Sequence, residues 1–131
     1  MVLVDSSVWI DHFAGRGTAE TEWLDRAAGR RALVVGDLIL AEVLQGFRAD
    51  TDFHKARRAL SKFPVLFMVG EAVALRSARN YRALRARGIT VRKTIDCLIA
   101  TCCILRNVEL LHSDRDFDPF EQHLGLRVVH P

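Results

Sequence analysis

Residues 1–11 read MVLVDSSVWID, and this segment decides the fold. Four apolar residues lead directly into Asp5, and an apolar, helix-like stretch follows at once. A short run that is apolar at every position is typical of a strand buried on both faces, as in a parallel sheet covered by helices. In such sheets ligands bind beyond the carboxyl ends of the strands. We therefore expect Asp5 to stand at a ligand crevice, together with whichever other acids the fold brings there.

Length and composition indicate one ordinary globular domain spanning residues 1–131, with 50% hydrophobic and 27% charged residues. No segment is long and apolar enough to span a membrane, and no basic leader precedes a hydrophobic segment. We therefore expect a cytoplasmic protein without a membrane partner. Cys97, Cys102 and Cys103 share one apolar segment without a C-x-x-C pair, which favours buried, reduced cysteines over a disulfide or a metal site.

The net charge of +3 is modest, but the cations are clustered. No acid lies between Glu71 and Asp96, whereas seven cations do: Arg76, Arg79, Arg82, Arg85, Arg87, Arg92 and Lys93. A second basic group consists of His54, Lys55, Arg57, Arg58 and Lys62. Each group is compatible with a solvated helix face. The absence of compensating acids favours a polyanion or an acidic protein as partner.

Apolar runs at residues 32–35, 65–69, 109–112 and 126–129 predict four more strands, separated by helical segments. In the basic helix predicted over residues 71–87, Ala74, Ala78, Tyr81 and Leu84 recur at helical spacing and are expected to face inward. Strands that alternate with helices, without hairpin signals, predict an α/β sandwich with a mainly parallel sheet.

Two acids lie where a charge is costly. Glu42 has apolar neighbours on both sides and at helical spacing, and an ionised carboxylate there needs a cation or a metal. Asp96 is compatible with the first turn of a helix, where an acid complements the helix dipole. Its helical neighbours Ile99, Ala100 and Cys103 nevertheless place it on a buried stripe. At both positions the apolar neighbours favour a functional role of the acid over a purely structural one.

Further acids follow the predicted strand at residues 109–112. Asp114 and Asp116 lie in the turn after it, at the same sheet edge as Asp5, whereas Asp118 before Pro119 is typical of a helix cap. Carboxylates that converge at one crevice need a cation between them, and Mg²⁺ binds a few carboxylates together with water and substrate phosphate. A metal at such a site activates a water molecule that attacks a phosphodiester. The neighbouring basic helices are compatible with binding the phosphate backbone of a nucleic acid. Mn²⁺ accepts the same ligands.

Four segments together resemble the PIN-domain ribonucleases, specifically the VapC toxins of bacterial toxin–antitoxin pairs. They are LVDSSVWI at residues 3–10, LAEVLQG at 40–46, IDCLIA at 95–100 and LHSDRDF at 111–117. Each segment alone is weakly specific, whereas four in order at family spacing are strong. The resemblance covers essentially the whole chain and implies a single PIN domain, a three-layer α/β/α sandwich.

The resemblance implies that Asp5, Glu42, Asp96 and Asp114 form a metal-binding quartet, with Asp5 and Asp96 as the firmest ligands. Asp116 is then a fifth acid that acts through water, and the choice between Asp114 and Asp116 stays open. Ser7 is expected to orient Asp5. Further implications are cleavage of RNA, often tRNA or rRNA, with Mg²⁺ or Mn²⁺, and dimerisation and inhibition by a VapB antitoxin lying across the site. Arg92, Lys93 and Arg115 are expected to contact RNA or that antitoxin.

Three rival interpretations fit the residues less well. A haloacid-dehalogenase-like phosphatase needs a second Asp where this chain has Ser7, and it gives Glu42 no role. A receiver-like domain needs an acid pair where this chain has Asp5-Ser6. A Ser-His-Asp relay built from neighbouring residues 112–114 fails because adjacent side chains of an extended strand point to opposite faces.

Overall fold

The computed structural model describes residues 1–131. Four strands alternate with seven helices and a 3₁₀ turn. The strands are β1 (Val2–Val4), β2 (Leu33–Gly36), β3 (Val65–Leu66) and β4 (Glu109–Leu111). The helices are α1 (Ser6–Phe13), α2 (Ala19–Ala27), α3 (Asp37–Leu44), α4 (Asp50–Leu60), α5 (Gly70–Ala86), α6 (Thr94–Arg106) and α7 (Asp118–Leu124), and the 3₁₀ turn spans Arg115–Phe117.

The strands form one parallel sheet in the order β3-β2-β1-β4. The central strand β1 pairs with β2 and with β4, so that Leu3 lies opposite Val34 on one side and Leu110 on the other. Because all strands are parallel, their carboxyl ends meet at one edge, where Asp5 and the turn after β4 lie side by side. This arrangement confirms the predicted parallel sheet.

Helices cover both faces of the sheet. The connections from β1 to β2 and on to β3 contain α1 to α4, and the connection back to β4, beyond β1, contains α5 and α6. Right-handed crossovers therefore put the two helix groups on opposite faces. Within the groups α1 packs against α2 and α3, and α5 packs against α6. The result is the three-layer α/β/α sandwich that the sequence predicts.

The hydrophobic core comprises 27 buried residues that run through all three layers. The residues of β1 are completely buried, which explains why that strand is apolar at every position. Helix α6 is buried on several sides, as its composition predicts, and its cysteines are buried and unpaired. None of the helices has the length and hydropathy needed to cross a membrane.

Two predicted strands are shorter in the structure. Instead of a strand at residues 126–129, a single bridge pairs Leu110 with Val128. Strand β3 ends at Leu66 rather than Val69, because the Met68 N–H donates to the Asp37 side chain instead of a neighbouring strand. The pairing at residues 126–129 is thus limited to one parallel bridge, and at Met68 a side-chain acceptor takes the N–H that a longer β3 would use.

The predicted inward face of α5 is wrong at two positions. Ala74 and Ala78 are exposed, and the buried positions are Val73, Ser77, Asn80 and Leu84. The buried polar residues have partners on α6: Asn80 Nδ2 donates to Thr101 Oγ1 at 3.0 Å, and Cys97 Sγ lies 3.3 Å from the Ser77 carbonyl oxygen. Alanine fits either face of a helix, so the alanine spacing does not determine which face packs inward.

Candidate metal centre

Asp5 ends β1 and caps the amino end of α1. One of its carboxylate oxygens, Oδ2, accepts hydrogen bonds from the Ser7 backbone N–H at 3.0 Å and from the Ser7 hydroxyl at 2.6 Å. The other oxygen, Oδ1, is buried and accepts none. Asp5 therefore uses one oxygen to fix its own orientation and leaves the second one free at the edge of the sheet.

Ser7 also links two strands that are far apart in sequence. Its hydroxyl oxygen accepts a hydrogen bond from the Ser113 backbone N–H at 3.2 Å, while its proton goes to Asp5. The β1–α1 junction is thereby tied to the segment that follows β4. The hydrogen bond to Asp5 agrees with the orienting role predicted for Ser7, and the contact with Ser113 is additional.

The turn after β4 is held by hydrogen bonds of its own residues. The Asp114 backbone N–H donates to His112 Nδ1 at 3.1 Å, and the Asp116 backbone N–H donates to Asp114 Oδ1 at 2.9 Å. Asp114 thus caps the 3₁₀ turn with one oxygen. Its Oδ2 is not used in the cap, which repeats the division of oxygens seen at Asp5.

The most compact acidic group consists of Asp96, Asp114 and Asp116, each offering an oxygen within 4.8 Å of the others. Asp96 comes from the first turn of α6, and the other two come from the turn after β4. Asp5 and Glu42 lie outside this group but close enough to act on it electrostatically. Asp116 is thus inside the tightest cluster, whereas the resemblance ranks Asp5 with Asp96 as firmest ligands. That ranking stays a prediction.

Burial raises the pKa values of three acids, and repulsion between carboxylates adds to the rise at two of them, Glu42 and Asp96. Burial raises the pKa of Asp96 to about 6, with Asp5 and Asp114 adding to the shift and Lys93 opposing it. Burial, followed by the charge of Asp5, raises the pKa of Glu42, against a hydrogen bond from Ser6. Burial also raises the pKa of Asp5 despite its hydrogen bonds to Ser7. A cation at this edge would relieve all three.

Two cations of the chain already pair with the acids. Lys93 Nζ lies 3.5 Å from Asp96 Oδ2 and 3.8 Å from Asp114 Oδ2, and Arg92 lies 3.7 Å from Asp116. The charge of Asp96 is the main reason that the pKa of Lys93 is raised, so this side chain stays protonated. A cavity of about 80 Å³ beside the acids is lined by Arg92, Arg115 and the carboxylates of Asp96 and Asp116, among others.

The donor set fits a hard divalent cation. Three buried carboxylate oxygens accept no hydrogen bond, namely Asp5 Oδ1, Glu42 Oε1 and Asp96 Oδ2, and they come from three different elements. Buried polar atoms that accept no hydrogen bond are rare in folded proteins. Asp96 Oδ2 has only the Lys93 ammonium at 3.5 Å, and Asp5 Oδ1 and Glu42 Oε1 are available to an ion or a water. Mg²⁺ and Mn²⁺ prefer such carboxylate oxygens and retain water in the remaining positions.

His112 supports the acidic turn after β4. From the sequence alone it enters only as a member of the rejected Ser-His-Asp relay. Its Nδ1 accepts the Asp114 backbone N–H, so it positions that acid through the main chain. Its ring packs against Phe117 with centroids 4.9 Å apart, and burial lowers its pKa. The only signal in the sequence is a polar residue between a buried strand and an acidic turn. That signal does not distinguish a positioning residue from a loop residue.

Family comparison agrees with this geometry. A family model described as PIN domain matches residues 2–121. The chain belongs to the PIN-domain family. Ribonuclease VapC11 of Mycobacterium tuberculosis is 33% identical over 132 residues, with 98% of each chain covered. This PIN protein is thus a relative of the VapC ribonucleases across its length.

Solved PIN structures share the fold. VapBC2 of Rickettsia felis, bound to a DNA fragment from its promoter, matches with a TM-score of 0.79 at 15% identity and 98% coverage of both chains. A toxin–antitoxin complex from Klebsiella pneumoniae matches with a TM-score of 0.73 at 24% identity, covering 100% of this chain and 98% of that one. The four segments that predicted the family therefore lie on the family's fold.

Proposed function

We propose that this PIN protein is a metal-dependent endoribonuclease and the toxin of a VapBC-type toxin–antitoxin pair. The observation that carries the proposal is the convergence, at one sheet edge, of acids with free buried oxygens. Asp5, Glu42 and Asp96 each contribute such an oxygen. An acidic site of this kind in a chain related to VapC ribonucleases supports hydrolysis of an RNA phosphodiester.

The metal ligands in this proposal are Asp5, Glu42, Asp96 and Asp114, with Mg²⁺ as the ion and Mn²⁺ as a substitute. When bound, the ion supplies an activated water at neutral pH and neutralises charge on the phosphate. Asp116 adds a fifth carboxylate to the catalytic group. Ser7 holds Asp5 in one orientation, and residues that orient ligands in this way are commonly as important as the ligands.

The RNA side of the site consists of cations around the acids. Arg92, Lys93 and Arg115 are exposed at the mouth of the acidic edge and are proposed to contact the phosphate backbone. The basic residues of α4 and α5 are also exposed, and such a surface attracts RNA irrespective of sequence. We propose tRNA or rRNA as the substrate class.

The test is RNA cleavage by the purified chain with MgCl₂, with MnCl₂ and with EDTA. The unaltered protein is expected to cut only with a divalent ion, and Asp5→Ala and Asp96→Ala are expected to lose that activity. Asp50→Ala, which removes an exposed acid in the first turn of α4, is the matched control and should cleave normally. Unchanged metal-dependent cleavage by both site variants would contradict the assignment of Asp5 and Asp96 as metal ligands.

The proposed partner is a VapB-type antitoxin, because structural neighbours of this chain are described as toxin–antitoxin complexes. The assembly is expected to be a homodimer or a hetero-oligomer with the antitoxin. Co-expression with a candidate VapB-type antitoxin, followed by size-exclusion chromatography with light scattering, measures the assembly. The antitoxin should suppress cleavage at stoichiometric amounts, and full cleavage in a stable complex would contradict its inhibitory role.

A further inference from the structure

Lys93 occupies a position that is unfavourable for its helix. It is the cap residue at the amino end of α6, with extended backbone angles, and no side chain caps that end. Ser, Thr, Asp or Asn is preferred at such a position, and a cation there opposes the positive end of the helix dipole. Residues that break a local rule are expected mainly at functional sites.

The contacts of Lys93 indicate what offsets the unfavourable free energy of placing a cation at the amino end of α6. Its ammonium lies between Oδ2 of Asp96 and Oδ2 of Asp114, at 3.5 Å and 3.8 Å. Asp96 Oδ2 is one of the buried oxygens that accept no hydrogen bond, and Asp114 Oδ2 is the oxygen that the turn does not use. The ammonium therefore pairs with two of the oxygens assigned above to the metal.

The two sides of this ion pair differ in mobility. The Asp96 side chain is 5% exposed and is fixed by its burial, whereas the Lys93 side chain is 54% exposed. A lysine ammonium is a compact charge on a flexible four-carbon stem, so it can move while the carboxylates stay in place. A divalent ion bound by the same two oxygens would repel the ammonium. Lys93 is the group that has to move.

We infer that the Lys93 ammonium acts as a built-in competitor of the divalent ion at Asp96 and Asp114, and that metal binding releases it to the RNA phosphate. This inference rests on the proposed function, since it takes these acids as metal ligands. It assigns Lys93 two successive partners: the carboxylates before the ion binds, and the substrate backbone afterwards. Lys93 thus links metal loading to substrate binding.

If Lys93 competes with the ion, its removal changes the metal affinity in an uncommon direction. Removing a residue of the site should strengthen metal binding, because the ion no longer displaces a cation. Lys93→Met, which keeps the unbranched stem of the side chain without its charge, is expected to bind Mn²⁺ about 3- to 10-fold more tightly, as suits two partly exposed ion pairs. Lys93→Arg keeps the charge and should stay within about 2-fold of the unaltered protein.

Isothermal titration with MnCl₂ measures the affinity without RNA. Lys62→Met is the matched control, because it removes an exposed lysine charge at the end of α4. It should leave the Mn²⁺ affinity unchanged, and thermal melts of all variants test whether each one is folded. Equal or weaker Mn²⁺ binding by folded Lys93→Met, when the unaltered protein binds the ion, overturns the inference alone. No Mn²⁺ binding by either protein overturns the proposed metal site as well.

RNA cleavage at saturating MnCl₂ tests the release step. A lysine that contacts one phosphate of a single strand contributes about 0.7 to the slope of log kcat/KM against log salt. Lys93→Met should lose about that much of the slope and cleave more slowly, whereas Lys62→Met controls for the general loss of one charge. Tighter Mn²⁺ binding with an unchanged salt slope would show that released Lys93 does not reach the phosphate.

Discussion

Asp5 and Asp37 occupy matching places in the chain, yet their carboxylates have different surroundings. Each follows a buried strand, β1 or β2, and each lies at the start of a helix at the same edge of the sheet. Asp37 Oδ1 accepts backbone N–H groups from Leu38 at 2.9 Å and from Met68 at 3.1 Å. Asp5 instead keeps a buried oxygen without any partner.

The difference follows from the position of each strand in the sheet. Strands β1 and β2 both lie inside the sheet, but β1 lies beside β4, and the turn after β4 together with helices α3 and α6 brings acids to Asp5. Strand β2 is followed by β3, and the chain beyond β3 brings a backbone N–H to Asp37. The approach is close: a Cβ on Gly36 would clash with the Met68 sulfur. An acid after a buried strand thus either keeps a buried oxygen without a hydrogen bond, as Asp5 does, or accepts backbone N–H groups, as Asp37 does, according to which segments lie beside it.

The sharpest test of this comparison is cleavage activity after the same substitution at both acids. Asp5→Asn is expected to lower metal-dependent RNA cleavage at least about 100-fold, because it removes a metal ligand while keeping the cap. Asp37→Asn should remain within about 3-fold of the unaltered protein, since an amide oxygen still accepts both N–H groups. Equal losses at the two positions would contradict the division into a catalytic and a structural acid.

The orientation of Asp5 is the next feature to test. Ser7→Ala removes the 2.6 Å hydrogen bond to Asp5 and the link to Ser113. We expect metal affinity to fall about 10- to 100-fold, as is usual for residues that orient ligands. Ser61→Ala, which removes an exposed serine hydroxyl at the end of α4, is the matched control. Mn²⁺ titration is the measurement, and an unchanged affinity in Ser7→Ala would exclude the orienting role.

The structural role of Asp37 predicts an effect on stability. Asp37→Ala leaves the N–H groups of Leu38 and Met68 without their acceptor, which should cost about 1 to 3 kcal/mol in the free energy of unfolding. Asp5→Asn should cost less in metal-free protein, because it removes a buried charge and retains an oxygen acceptor. Urea denaturation in EDTA measures both variants. A larger loss for Asp5→Asn would reverse the comparison.

The smallest expected effect concerns pH. The pKa of Asp96 is raised to about 6 from 3.8, so the folded state binds more protons than the unfolded state between these values. Metal-free protein should therefore lose stability as pH rises from 4 to 6, and the cost persists at pH 7. Asp96→Asn removes this cost and should stabilise the metal-free protein at pH 7 by on the order of 1 kcal/mol.

Urea denaturation at several pH values, in EDTA, checks this prediction. The difference between Asp96→Asn and the unaltered protein should vanish at pH values well below 3.8, where the carboxyl group is protonated in both states. Excess MnCl₂ at pH 7 should reverse the order, because the ion stabilises only the protein that retains its ligand. A variant that is equally destabilised at every pH would show that Asp96 is a structural acid.

Much of the fold is predictable from local patterns. The uniformly apolar run before Asp5 identifies a strand buried on both faces, and the multi-sided apolar composition of α6 identifies a buried helix. Apolar spacing does not predict the inward face of a helix where the residues are equally compatible with burial and exposure. Alanine is compatible with either face of α5, and the true inward face is set by Ser77 and Asn80, whose partners lie on α6.

The acids themselves are recognisable because a charge among apolar neighbours is costly. Glu42 and Asp96 stand out for that reason, and the four segments at family spacing identify the PIN family. The sequence does not show that one carboxylate oxygen of Asp5, or of Asp114, accepts hydrogen bonds while the other does not. The Ser7–Ser113 link, the support of Asp114 by His112 and the ion pairs of Lys93 with Asp96 and Asp114 all depend on three-dimensional contacts.

The sequence by itself determined the family and the order of the helices and of the first four strands, because apolar runs mark buried elements. It also predicts the set of acids, because those charges stand among apolar neighbours. Only the tertiary structure decided that Asp5 is unsatisfied and Asp37 is satisfied, although both follow buried strands. The physical reason is that the groups around each acid come from segments distant in sequence: the turn after β4 and helices α3 and α6 at Asp5, and the chain after β3 at Asp37. Which strand is the neighbour depends on sheet order, β3-β2-β1-β4, rather than on local sequence.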